Sequence, residues 1–344
     1  MGWVLWLIVL PLSIVFSSMV RIRNFCYARG WIRNRSLPCA VVSVGNLTVG
    51  GTGKTPTTLW LAGALSELGY RVAILSRGYR GRGRGPRILG PGGVQEEQAL
   101  NSGDEPVLMA ELYGHTVGVG KRRFETGSLI IDDAPVDVFL LDDGFQHRRL
   151  KRDLDLLLLG QDWRGWMLPA GPFREPRSAL RRAHLYLITG ARSRWDAILA
   201  RRSKGPMTFR GRLAPRSLLT REDEQWVELP LAEISSTKMV AVSGIADPEM
   251  FYRMVQEWGG IIVDTLKFPD HHDYSIKDWQ EISRAVRQAD RIITTEKDLV
   301  KLAQFPFARG SIVALRVEMV VERGEELIDA VENVIQKKRE SRMR

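Results

Sequence analysis

Residues 40–55 read AVVSVGNLTVGGTGKT, and the fold is decided there. Ala40-Val41-Val42-Ser43-Val44 is an apolar run suited to a buried strand. The loop that follows is Thr48, Val49, Gly50, Gly51, Thr52, Gly53, Lys54 and Thr55, and the pattern beyond it predicts a helix over 57–68. A strand, a glycine-rich turn, Lys-Thr and a helix form the setting of a phosphate-binding loop. The glycines let backbone N–H groups converge on phosphate, and the helix N-terminus favours anions. Lys54 is placed to reach the outer phosphates of ATP, and the Thr55 hydroxyl to hold Mg²⁺. The usual pattern begins with Gly where this chain has Thr48, so Gly50, Gly51 and Gly53 must supply the turn.

Outward from this loop, residues 37–189 alternate apolar runs with amphipathic helices. Strands are expected at 71–75, 116–119, 136–141, 154–159 and 184–188. This alternation predicts an α/β fold: a P-loop NTPase-like parallel sheet with flanking helices. Ligands in such sheets bind at the carboxyl ends of the strands. Around 207–232 the texture changes to two extended segments, read as a two-stranded linker. A smaller α/β domain with a C-terminal helix follows over 233–344, and that last helix could pack on either domain. The kinase-like domain then spans 36–206. The basic residues from 337 onward are expected to fray.

Residues 1–35 form a third part. The segment 2–20 carries no charge, and Arg21, Arg23, Arg29, Arg33 and Arg35 follow it. This is an apolar, membrane-associated helix with a basic flank that stays cytoplasmic. A net charge of +10 over 344 residues favours an anionic partner, here a membrane surface or a phosphorylated substrate. No nucleic-acid motif accompanies the charge, and no protein partner is inferred. Cys26 and Cys39 suggest neither a disulfide framework nor a zinc site.

Several polar clusters end the apolar runs. The strand at 136–141 runs into Asp142 and Asp143, a pattern expected of a Mg²⁺-holding acid downstream of a phosphate loop. In an extended strand the two acids would point to opposite faces. Asp104, in GDEP, precedes a helix over 107–113. Its spacing favours an N-cap and also admits a general base. Arg77 and Tyr79 lie in SRGYRGRGRGPR, a cationic loop for phosphate or lipid headgroups. His271 and His272, in FPDHHDY, could orient a carboxylate or meet a metal.

Taken together, GNLTVGGTGKTP (45–56), SRGYRG (76–81), GDEP (103–106), LLDDGFQH (140–147), REP (174–176), FPDHHDY (268–274) and TTEKD (294–298) resemble the tetraacyldisaccharide 4′-kinases. The resemblance covers nearly the whole chain, in order, and Thr48 belongs to that family's pattern. It implies transfer of the ATP γ-phosphoryl group to the 4′-hydroxyl of an acylated glucosamine disaccharide 1-phosphate lipid. The reaction belongs to lipid A synthesis at the cytoplasmic face of the bacterial inner membrane. By the same resemblance Asp104 becomes the base, paired with His271, and Lys54 is catalytic. Asp142, Asp143 and Glu175 fall on acidic positions tied to Mg²⁺ and catalysis, and Arg77 and Tyr79 lie near the substrate. The competing reading is a membrane-associated P-loop switch or ATPase that drives a protein partner.

Overall fold

In the computed structural model, the strand expected at the phosphate loop is β1 (Ala40–Asn46), and all seven of its residues are buried. Burial on both faces is what a central parallel strand needs, and an apolar run supplies it. The structure describes residues 2–79, 81–90, 101–160, 164–189, 194–200, 205–223, 225–308 and 310–343. Arg80, part of the SRGYRG loop, lies outside them. The chain forms two compact units, Met1–Arg212 with Met319–Arg344, and Leu213–Glu318.

In the first unit, the remaining strands are β2 (Val72–Ser76), β3 (Arg87–Leu89), β4 (Thr116–Val119), β5 (Val138–Asp142), β6 (Leu154–Leu159), β7 (Leu185–Ile188) and the start of β8 (Met207–Glu222). Their order is β8-β7-β6-β1-β5-β2-β4-β3. All neighbours are parallel except β3 on β4. Because β1 lies between β5 and β6, the order reverses there, and a crevice opens past the carboxyl ends of β1 and β5.

Helix α1 (Gly2–Ala28) precedes the sheet. Helix α2 (Lys54–Glu67) buries Leu59, Leu61, Ala62 and Leu65. It begins three residues before the expected start, because Gly53 turns into the left-handed region and caps it. Pro56 is tolerated in the first turn, where its missing N–H would lack a partner anyway. Helices α3 (Asp104–Glu111) and α4 (Arg123–Asp133) flank β4, and the short α5 (Trp195–Ala200) precedes β8. The final helix, α9 (Gly324–Met343), belongs to this unit. Glu332 and Gln336 bond the Tyr70 hydroxyl at 2.8 and 2.9 Å, Lys338 meets Asp153 at 3.1 Å, and Arg339 meets Asp137 at 2.9 Å. The tail expected to fray is therefore helical through Met343, held by ion pairs that its basic composition makes available.

The second unit contains the rest of β8 and β9 (Gln225–Leu229), which pair antiparallel. It adds β10 (Lys238–Ser243), β11 (Ile261–Lys267), β12 (Arg291–Thr295) and most of β13 (Ile312–Glu322), in the order β11-β10-β12-β13-β8. Helices α6 (Pro248–Glu257), α7 (Ile276–Ala285) and α8 (Glu296–Leu302) complete it. Met239, Ala241, Phe251, Val255, Ile293 and Val313 form its core. The chain passes between the units within β8 and within β13.

One glycine ties this scaffold to the crevice. A Cβ on Gly45 would stand 2.7 Å from the Phe145 Cβ and 2.8 Å from its backbone nitrogen. Gly45→Ala is expected to lower stability by about 1–3 kcal/mol through overpacking, read as a lower thermal unfolding midpoint.

Candidate active site

The phosphate loop is built by backbone contacts that the motif does not reveal. Gly50 and Gly53 have φ of 103° and 78°, a region that costs other residues strain. The Val49 N–H donates to the Pro172 carbonyl at 2.8 Å, and the Arg174 N–H to the Leu47 carbonyl at 2.7 Å. The loop thus lies along 172–174, with Thr48 bridged to Phe173. Asn46 Nδ2 donates to Thr52 Oγ1 at 2.8 Å, and Thr189 Oγ1 to the Thr52 carbonyl at 3.1 Å. Lys54 Nζ lies 3.3 Å from the Gly50 carbonyl and 3.9 Å from Asp143 Oδ1.

Asp142 and Asp143 close the site from β5. Asp142 is buried, and its two oxygens accept from Thr55 Oγ1 at 3.4 Å and Thr58 Oγ1 at 3.2 Å. Asp143 has φ of 49°, so the strand ends before it and the opposite-face rule of an extended chain does not apply. The turn carries the Asp143 carboxylate to Arg174, whose Nη1 and Nη2 donate to its two oxygens at 2.8 Å each. Arg174 also donates through Nε to the Thr48 carbonyl at 3.1 Å and through Nη2 to Asn46 Oδ1. Beneath the turn, buried Arg123 donates to the carbonyls of Asp142 at 2.6 Å and Asp143 at 3.2 Å.

These environments separate the two acids. Burial, then the negative charges of Glu105 and Asp143, push the Asp142 carboxyl up to about 7. Burial also opposes the Asp143 charge, but Arg174, Lys54 and Arg123 overcome it and hold that carboxyl at about 2. The donor set suits a hard divalent cation: Thr55 Oγ1 and a carboxylate oxygen of Asp142 adjoin, both are oxygens, and a magnesium site keeps water and phosphate as its other ligands. Among the described residues no group of three His, Cys, Asp or Glu side chains could hold a metal alone.

Glu175 is not gathered with these acids. Its oxygens are bonded by Arg23 at 2.9 Å and Asn24 at 2.7 Å, both from α1, with Arg182 at 3.3 Å. The chain bends at Arg174 and Glu175, and the two side chains diverge: Arg174 meets the phosphate loop and Asp143, and Glu175 meets α1.

Asp104 is the first residue of α3, and the cap position belongs to Gly103, so the N-cap reading of Asp104 does not hold. Gly103, Gly78 and Gly81 allow close approach of two loops. A Cβ on Gly103 would meet the Tyr79 carbonyl at 2.4 Å, and one on Gly78 the Ser102 carbonyl at 2.9 Å. The segment with Arg77 and Tyr79 therefore lies against the GDEP turn, and Tyr79 is exposed. A cavity of about 330 Å³ is lined by Arg33, Arg35, Arg122, Arg123, Arg149 and His147, among others. Burial and the nearby arginines push His147 down to about 3, so its ring is neutral at physiological pH.

In the second unit, His271 has φ of 60°, and its Nε2 lies 2.9 Å from Lys297 Nζ. His272 instead meets Asp278 at 3.1 Å and stacks on Phe268. The FPDHHDY and TTEKD motifs are thus brought together, and the two adjacent histidines have different partners. Cys26 and Cys39 are both free thiols. Helix α1 packs one stripe on the first unit: Ser13 Oγ donates to the Met167 carbonyl at 2.6 Å, and Val20 enters a core cluster with Leu47, Phe145 and Phe173. Trp6, Ile8, Leu12, Val15, Met19 and Ile22 are exposed. Within it, 8–28 is long and apolar enough to cross a membrane.

Reading the sequence missed Arg123 and Thr58, which carry no motif signal of their own, and quoted Asn46 within GNLTVGGTGKTP without a role. It quoted Arg174 without giving it a role.

The raised Asp142 carboxyl has a measurable consequence. Between about pH 4 and 7 the folded, nucleotide-free protein binds a proton that the unfolded chain has released, so stability falls as pH rises through that window. Asp142→Asn removes the ionisation. Without nucleotide or metal, its thermal midpoint is expected to exceed wild type at pH 8, with the gain shrinking as pH falls toward 4.

A family model described as tetraacyldisaccharide-1-P 4′-kinase matches residues 5–336. A tetraacyldisaccharide 4′-kinase from Syntrophus aciditrophicus (strain SB) is 40% identical over 333 residues, covering 90% of this chain and 88% of that protein. Another, from Aquifex aeolicus (strain VF5), is 35% identical over 320 residues, covering 92% and 95%. The crystal structure of LpxK from Aquifex aeolicus in complex with ATP matches with a TM-score of 0.78 at 34% identity, over 95% of this chain and 98% of that one. A family model spanning nearly the whole chain, relatives matched over most of their length and a shared fold lead to one conclusion: the chain belongs to the tetraacyldisaccharide-1-P 4′-kinase family, LpxK.

Proposed function

We propose that this kinase phosphorylates the 4′-hydroxyl of a tetraacylated disaccharide 1-phosphate, using the phosphate loop with Lys54, Thr55, Asp142 and Asp143 at the ATP end and Asp104 at the acceptor end. The convergence of Thr55, Asp142, Lys54 and Asp143 on one crevice carries this reading. Thr48 to Thr55 wrap the ATP phosphates, and Lys54 offsets charge on the outer ones. Thr55 and Asp142 would hold Mg²⁺ with Asp143 beside them, and that ion supplies further charge neutralisation on the phosphates. Asp143 is bonded to Arg174, so its negative charge is kept without a proton to compete for.

In the reaction the acceptor oxygen forms a bond to the γ-phosphorus while the bond to the β–γ bridging oxygen breaks. ADP leaves with that electron pair, and the hydroxyl proton passes to the Asp104 carboxylate. An alcohol is a weak acid, so the base takes its proton late and positioning does most of the work. By family resemblance His271 also takes part in the reaction. Lys297 beside His271 Nε2 favours that nitrogen as the acceptor and leaves Nδ1–H to donate. The half-buried start of α3 near Asp142 supports a role for Asp104 at this end of the crevice: the charge of the adjacent Glu105 is felt at Asp142.

The acceptor is a lipid, and the exposed apolar face of α1 with its arginine flank brings the enzyme to the cytoplasmic face of the inner membrane, where ATP is available. Arg77 and Tyr79, beside the GDEP turn, take part in sugar and phosphate recognition. The arginine-lined cavity beyond Arg123 is a receptacle for the phosphate already on the substrate.

Lys54→Ala and Asp104→Ala are each expected to lower kcat about 10²–10⁴-fold. The assay is phosphate transfer from labelled ATP to the disaccharide lipid in mixed micelles. Transfer that survives Asp104→Ala moves the base elsewhere, and wild type that only hydrolyses ATP favours a nucleotide switch. Arg149→Ala is expected to raise the lipid KM with little change in ATP KM, measured in the same assay.

A further inference from the structure

Glu175 is completely buried, and a buried carboxylate is costly unless its charge is met. Arg23 and Asn24 meet it at 2.9 and 2.7 Å, and both lie near the C-terminal end of the apolar helix α1. Arg182 stands 3.3 Å away, with its guanidinium over the Phe145 ring at 4.3 Å. Arg148 supports the same junction, donating to the Asn24 carbonyl at 2.9 Å and lying over the Tyr27 ring at 4.7 Å.

The neighbouring residue, Arg174, serves the other side. Its guanidinium holds both oxygens of Asp143, the Asn46 side chain and the Thr48 carbonyl. Asn46 in turn bonds Thr52 within the phosphate loop. The backbone linking the two roles is short and fixed: Phe173 bridges Thr48, and the Arg174 N–H bonds the Leu47 carbonyl. Helix α1 and the phosphate loop therefore hold adjacent residues of one bend, α1 through Glu175 and the loop through Arg174. A displacement of Glu175 moves its peptide, and with it the Arg174 guanidinium and the loop edge.

We infer that Arg23 and Asn24 are positioning residues for phosphoryl transfer: by seating Glu175 they fix Arg174 against Asp143 and the phosphate loop, so that α1 organises the ATP end of the site as well as meeting the lipid. The inference rests on the kinase reading above but has a readout independent of the acceptor. Ser13 and Val20 hold α1 to the first unit at separate points, so loss of Arg23 need not undock the helix.

The test uses the full chain in mixed micelles, with Arg23→Met, Arg23→Lys and Asn24→Ser beside wild type. Arg23→Met is expected to lower kcat about 10- to 100-fold and to raise the ATP KM, while the lipid KM and sedimentation with anionic vesicles hold. Arg23→Lys, which keeps the charge, is expected to recover much of the loss, and Asn24→Ser to fall between them. Affinity for a fluorescent ATP analogue, measured without acceptor, should follow the same order. Thermal midpoints identify a variant that fails to fold, in which case Asn24→Ser carries the comparison. Unchanged kcat and nucleotide affinity in Arg23→Met, a defect confined to lipid KM or vesicle binding, or a loss that Arg23→Lys does not relieve would overturn the inference. A wild type that binds the analogue but transfers nothing to lipid counts against the kinase reading alone, because the nucleotide affinities still decide the linkage.

Discussion

Two adjacent carboxylates at the end of β5 must share one turn beside a phosphate loop without repelling each other out of place. The left-handed turn at Asp143 separates them, and two arginines make it tenable. Arg123 satisfies the turn's carbonyls from below, while Arg174 clamps the second carboxylate from the side. Asp142 remains buried against two threonine hydroxyls of α2 and is hard to ionise alone. A cation arriving with the nucleotide would relieve that cost, and this ties the nucleotide's charge to the site's own stability.

The same clamp explains the shape of the phosphate loop. With no glycine at Thr48, the entry to the loop is an extended residue that bridges Phe173, and the positive φ falls later, at Gly50 and Gly53. The segment carrying Arg174 is thus the loop's outer wall. Because Glu175 turns its side chain to Arg23 and Asn24, the wall is also the attachment of α1. A single dipeptide thus meets the phosphate loop through Arg174 and the exposed apolar helix α1 through Glu175.

The central parallel sheet and its β1–loop–α2 unit were legible because their signals are local. A run of apolar residues, three glycines, and Lys-Thr at the helix start need no distant partner to be read. The order of motifs along the chain was enough to mark the family. Other features were not legible. Arg123 and Arg174 act on Asp142 and Asp143 from some twenty to thirty residues away, and nothing in KRRFE or GPFREP says which carbonyl or carboxylate each will meet. Asp104 reads as a cap by spacing, yet Gly103 takes that position because the close approach of the Tyr79 carbonyl excludes a side chain there. The basic tail reads as frayed, yet Asp137 and Asp153, remote in sequence, hold it helical.

The sequence by itself determined the parallel α/β architecture, the phosphate loop and the apolar, arginine-flanked helix, since each follows from periodicity or composition within one segment. Tertiary structure alone decided which charges meet. Whether a buried carboxylate is stable depends on the donors packed around it, and those come from residues far apart in the chain. Glu175 shows the difference: family resemblance groups it with Asp142 and Asp143, and its spatial neighbours, Arg23 and Asn24, give it to the N-terminal helix.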